Sequence, residues 1–119
     1  MGAGDLDMTD AGIARTPKSP YYAVIFTSVR TAVGEGYPET AERMLQLAAQ
    51  QPGYLGVEST REGALGITVS YWQDLPSIKS WKAVAEHTLA QRLGRERWYR
   101  AYKTRICRVE DDYDFTRPA

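Results

Sequence analysis

The sequence predicts an α+β domain in which two helices cover one face of a four-stranded antiparallel sheet. Three features predict it. Runs rich in β-branched and aromatic residues alternate with helix-period stretches in the order β-α-β-β-α-β, breaks containing Gly or Pro separate them, and the first strand is apolar on both faces. At 119 residues, the chain is the size of one domain and can bury roughly two-thirds of its unfolded surface.

The elements follow in order. Residues 1–19 mix Gly, Asp, Thr, Ala and Pro without period, which predicts a mobile leader adding little to the core; residues 20–115 form the domain and 116–119 a short tail. Tyr21 to Val29 is almost continuously apolar and β-prone, as a central strand buried on both sides would be. Gly34 to Pro38 breaks the chain. Thr40, Ala41, Met44, Leu45, Leu47 and Ala48 then recur at helical spacing up to Gln50, with Pro38 suited to the first turn, where its missing N–H costs nothing. Gln51-Pro52-Gly53 stops that helix. Two strand-like runs, Tyr54 to Thr60 and Leu65 to Gln73, are joined by Arg61-Glu62-Gly63-Ala64, a connection suited to a hairpin. In the second run Ile67, Val69 and Tyr71 take one face and Thr68, Ser70 and Trp72 the other. Asp74 can cap a second helix with Pro76 just inside it, and Ile78, Trp81, Ala85 and Leu89 trace its apolar stripe. Gly94 ends or bends this helix, Arg95 to Tyr99 fit a further turn, and Ala101 to Glu110 returns to alternation.

That order is the ferredoxin-like split βαβ arrangement, with both helices on one side. The uncovered side would leave a large apolar patch in water, and pairing two sheets face to face in a symmetric homodimer removes it.

Composition excludes several function classes. Fifteen basic residues balance fifteen acidic ones, so no global positive field exists to hold nucleic acid. No apolar stretch approaches the ~20 residues of a membrane helix, and no basic segment precedes an apolar signal core; the expected location is the cytoplasm. One cysteine, Cys107, and one histidine, His87, rule out an internal disulfide and leave too few soft ligands for a usual zinc site.

The segments Gly36-Tyr37 through Ala41, Met44, Leu47-Ala48, Gln51-Pro52-Gly53, Gly56 and Glu58-Ser59 carry a family pattern. It continues through Tyr71-Trp72, Trp81-Lys82, Glu86-His87, Ala90-Gln91, Gly94-Arg95 and Trp98-Tyr99. Together they resemble the antibiotic-biosynthesis-monooxygenase-like family across roughly residues 21–115. The resemblance implies a dimeric α+β barrel with a pocket in each subunit between sheet and helices. It also implies either oxygenation of a phenolic substrate without metal, flavin or other cofactor, or haem degradation. Members of both groups typically use a pocket asparagine, and this chain contains none. The position of the haem-ligating histidine, ten residues after the helical tryptophan, holds Gln91 here, a poor iron ligand beside a neutral imidazole.

Within that frame the candidate base is His87, whose imidazole alone titrates near neutrality when unperturbed; a histidine bonded to backbone or closing the helix end is the structural alternative. Trp72, Trp81, Tyr22, Phe26 and Trp98 are candidates to line a slot for a small hydrophobic or aromatic ligand, although each taken alone reads more readily as core. Arg61 and Arg95 would stabilise a phenolate if they pointed inward, and Arg61, near a hairpin tip, is expected to be solvated. The functional expectation is a cofactor-independent monooxygenase acting on a small aromatic or polyketide-like substrate. The alternative is a non-catalytic hydrophobic-ligand-binding or stress-associated dimeric module.

Overall fold

The computed structural model describes residues 12–91 and 94–118. Its first strand, β1 (Tyr21–Arg30), is flanked on both sides, as its two-sided apolar character requires. β3 (Leu65–Trp72) pairs antiparallel with β1, so that Tyr22 lies opposite Trp72, Val24 opposite Ser70 and Phe26 opposite Thr68. β2 (Tyr54–Glu62) lies outside β3, and β4 (Tyr99–Val109) lies on the other flank of β1. The order β2-β3-β1-β4 is that of the ferredoxin-like arrangement.

The ends of β1 and β3 differ from the sequence expectation by one residue, and β2 and β4 differ by two for reasons of pairing. β2 runs two residues further, because Glu62 still pairs with Leu65 and leaves Gly63 and Ala64 to make the turn; Gly63 there has φ +59°. β4 starts at Tyr99 rather than Ala101, since Tyr99 pairs with Arg30 beyond an irregularity at Val29/Arg30. Helix α1 (Tyr37–Ala49) begins before Thr40, with Gly36 in a left-handed conformation ahead of it and Pro38 in its first turn. Helix α2 (Leu75–Gln91) is capped by Asp74, whose Oδ1 accepts the Ser77 backbone N–H at 2.8 Å. The Gly94 region forms a short helix, α3 (Gly94–Arg97).

The core lies between the sheet and the helices: Val24, Ala48, Trp72 and Ile78 are buried, with Tyr22, Tyr54 and Trp81 packed against them. Trp72 stacks on Trp81 at a centroid distance of 6.0 Å and 22° between planes, while Tyr54 meets it edge-on. Its indole N–H, which cannot go unpaired in a dry interior, donates to Ser70 Oγ at 2.8 Å.

Residues 1–11 of the segment expected to be a leader lie outside the described residues, and the expectation needs correcting for the rest. Ala14 is buried and its N–H donates to Glu58 Oε2 at 2.9 Å. Thr16 donates to the Tyr21 hydroxyl, which in turn donates to Asp112. A stretch without period can thus still be ordered, because single polar contacts to a strand need no repeat. Beyond this anchored corner, among the described residues, the helix-free face of the sheet stays open, with Leu65 49% and Ile67 39% exposed. Among the described residues no helix is long and apolar enough to cross a membrane.

Candidate functional site

Helices α1 and α2 do not cover the sheet evenly, and the inward residues Tyr102 and Ile106 of β4 remain exposed. Between them and the helices runs an open cleft of about 390 Å³. Its wall on the helix side is apolar: Ala41, Met44 and Leu45 from α1, Ile78, Trp81, Ala85 and Leu89 from α2. Val24, Phe26, Val57 and Ile106 supply the apolar part of the sheet side. These residues share a face because alternate strand positions point the same way.

One part of the cleft is polar. Ser28, Ser59, Thr68, Ser70 and Thr104 occupy inward strand positions, with Ser59 and Thr68 hydrogen-bonded at 2.7 Å. Arg61 Nη2 donates to Ser28 Oγ and to the Tyr37 hydroxyl, both at 3.3 Å, and Nη1 donates to the Ala64 carbonyl at 2.8 Å. The Tyr99 ring meets Tyr37 edge-on. Burial, and then the neighbouring Tyr37, push the Tyr99 phenol well above its ordinary value, an effect the guanidiniums of Arg30 and Arg61 oppose. The shift moves Tyr99 further from ionisation, so its hydroxyl is available as a donor.

The residues proposed from sequence divide evenly. Phe26, Trp81 and Trp98 line the cleft. Trp72 and Tyr22 do not: Trp72 is fully buried and Tyr22 packs beside it, so both belong to the core. His87 is exposed on α2 and stands outside the cleft lining, whereas its neighbour Glu86 reaches the rim, 3.9 Å from Lys82. The candidate base His87 thus stands on the exposed side of α2 and does not join the other candidates in the cleft wall. Arg61, expected to be solvated, is exposed, and its guanidinium also lies along the cleft, bonded to Ser28 and Tyr37. Arg95 lies with its guanidinium 6.0 Å from the Tyr102 ring. Cys107 is an exposed thiol opposite Ala23, on the face away from the cleft. The inward Ser and Thr residues of the strands carried one legible signal, polar residues at positions whose alternation points them indoors, whereas Tyr37, at the start of α1, carried no such signal. Among the described residues no three His, Cys, Asp or Glu side chains gather to hold a metal ion.

Sheet order, one-sided helices and the cleft between them define a protein of the antibiotic-biosynthesis-monooxygenase-like fold. The structure is similar to SnoaB, a cofactor-independent oxygenase from Streptomyces nogalater, with a TM-score of 0.58, 10% identity and coverage of 83% of this chain and 100% of that one. It is similar also to a candidate antibiotic biosynthesis monooxygenase from Chloroflexus aurantiacus, with a TM-score of 0.53, 16% identity and coverage of 81% and 97%. At such identities the likeness is one of fold. The chain belongs to the same family as YqjZ, an uncharacterised protein of Bacillus subtilis, to which it is 52% identical over 99 residues, 82% of this chain and 87% of the relative. No established family profile matches it.

Proposed function

We propose that this protein is a cytoplasmic, homodimeric, cofactor-independent monooxygenase that takes a small aromatic or polyketide-like molecule into the cleft between sheet and helices. The observation that carries the reading is a cleft of about 390 Å³ with apolar walls and one polar part holding a guanidinium and two phenols. Phe26 and Trp81 hold the flat body of the substrate and keep water from it, and the buried Trp98, packed against Tyr37, supports that wall. In the reaction an ionised substrate, an enolate or phenolate, passes electrons to dioxygen. A CH2 carbon becomes a carbonyl, one oxygen atom stays in the product, and the other leaves as water with the two hydrogens of that carbon. Arg61 and the hydroxyls of Tyr37 and Tyr99 stabilise the oxyanion while it forms. With His87 outside the cleft, the substrate must be acidic enough to yield its proton to water or to Glu86 at the rim.

The absence of an imidazole from the cleft favours a second reading, a non-catalytic module that binds the same class of molecule. Oxygen uptake and tryptophan fluorescence, both measured with an anthrone-type phenol, separate the two. Quenching with uptake above the protein-free rate supports the oxygenase, and quenching at the protein-free rate supports the binding module. No quenching rejects the cleft as the site for this class.

A further inference from the structure

Arg61 sits near the end of β2, where a long cation has easy access to water, yet its side chain turns back across the sheet. The route exists because its cross-strand partner is Gly66. A Cβ at residue 66 would lie 2.4 Å from Arg61 Nη2 and 2.6 Å from Cζ, so any other residue would push the guanidinium away. Ser28, Tyr37 and the Ala64 carbonyl hold it where it lies. Ordering so long a side chain costs conformational entropy, and among the described residues no carboxylate pairs with it; the ion pairs are Lys82 with Glu86 and Arg108 with Glu110. A second cation stands close by. Arg30 Cζ is 3.3 Å from the centroid of the Tyr37 ring, and Arg61 Cζ is 5.9 Å from the same centroid. Two guanidiniums thus flank one phenol beside an apolar cleft, and among the described residues neither forms an ion pair with a carboxylate. Of the five N–H groups on Arg61, the one on Nε and the second on Nη1 are still unspent.

The geometry points to an anion-recognition site: Arg61, laid across Gly66 and steadied by Ser28 and Tyr37, receives the carboxylate of a ligand whose flat apolar body fills the rest of the cleft. A planar guanidinium matches a carboxylate in shape and charge better than a lysine would. The inference rests on the cleft reading above and narrows its ligand to monoanionic, mostly apolar molecules.

A pair of probes with one ring system tests it: 2-naphthoate, which is charged at neutral pH, and 2-naphthamide, which is not. Calorimetric titration of the full chain is expected to show naphthoate binding about tenfold tighter than the amide. Arg61→Gln erases that preference, because naphthoate loses about tenfold more affinity than the amide does. Gly66→Ala erases it too, although the arginine is still present. Arg105→Gln, paired with Ile25 on the opposite face, leaves both affinities as they were. Equal binding of the two probes to the wild type, or a preference that survives Arg61→Gln, overturns the anion site while the cleft reading stands. Loss of the preference in Arg105→Gln overturns it as well, because the probe then occupies the other face. Should neither probe bind, the cleft reading falls and the anion site with it. Circular dichroism of each variant separates a lost contact from a lost fold, and the Arg61→Gln comparison does not depend on how Gly66→Ala folds.

Discussion

Glu86 and His87 are sequence neighbours that α2 turns in different directions, since successive helical residues are rotated by about 100°. Glu86 reaches the cleft rim and His87 is exposed outside its lining. His87→Ala should therefore leave the urea midpoint almost unmoved, within about 0.5 kcal/mol, and leave ligand titrations unchanged; a fall in oxygen uptake would restore the histidine to the mechanism. Trp72 behaves oppositely. It has no exposure, stacks on Trp81 and spends its N–H on Ser70. Trp72→Ala is expected to cost about 3–5 kcal/mol in equilibrium unfolding, with a cavity and an unpaired serine hydroxyl left behind. Sequence reading found the aromatic residues that matter but could not sort wall from core. Whether Trp72 meets a ligand or Tyr54 and Trp81 depends on register between distant strands, which no local pattern carries.

At the scale of elements, the α1–β2 and β3–α2 connections meet at one side chain, Ser77. Gly53, in the break that ends α1, has φ +85°, and a Cβ there would lie 2.1 Å from Ser77 Oγ. Its carbonyl also accepts the Gln73 N–H at 2.8 Å. Gly53→Ala combines a left-handed backbone with a steric collision, so a loss of about 2–4 kcal/mol is expected in chemical unfolding. Ser77 in turn caps α2 with Asp74. Hydrogen bonds from the Ser77 side chain first, and from its backbone N–H second, hold the Asp74 carboxyl below its ordinary 3.8. A carboxyl depressed in the folded state stabilises most when ionised, so its contribution is complete above that value and disappears as pH falls through the lower folded value. The gap in urea midpoint between wild type and Asp74→Ala should accordingly be constant near neutrality and close on acidification below pH 3.8; a gap independent of pH would contradict the cap. These stops were readable from Gln51-Pro52-Gly53 and Asp74-Leu75-Pro76 because turn and cap chemistry is local. The inward path of Arg61 was not readable, because it depends on an absent side chain at residue 66 of the partner strand.

For the molecule as a whole, the open face of the sheet decides what the protein is in solution. β1 places Ala23, Ile25 and Thr27 there, β3 places Leu65, Ile67 and Val69, and β4 places Lys103, Arg105 and Cys107, while among the described residues the N-terminal segment reaches the Tyr21 corner. An antiparallel sheet that faced water would alternate apolar and polar residues cleanly, yet here both faces carry aliphatic side chains. A twofold contact brings identical patches together, so one charge placed on the patch acts twice. The expected outcome is a wild-type dimer by sedimentation, twice the 13.4 kDa of the chain, and a monomer for Ile67→Asp. Cys107 reports the same event from a different strand: an aromatic disulfide reagent should label it several-fold faster in Ile67→Asp than in the wild type if, as proposed, a partner sheet shields the thiol. A monomeric wild type, or a dimer whose Cys107 reacts as fast as a free thiol, would mean that the copies do not meet through this face. The open sheet would then need another cover.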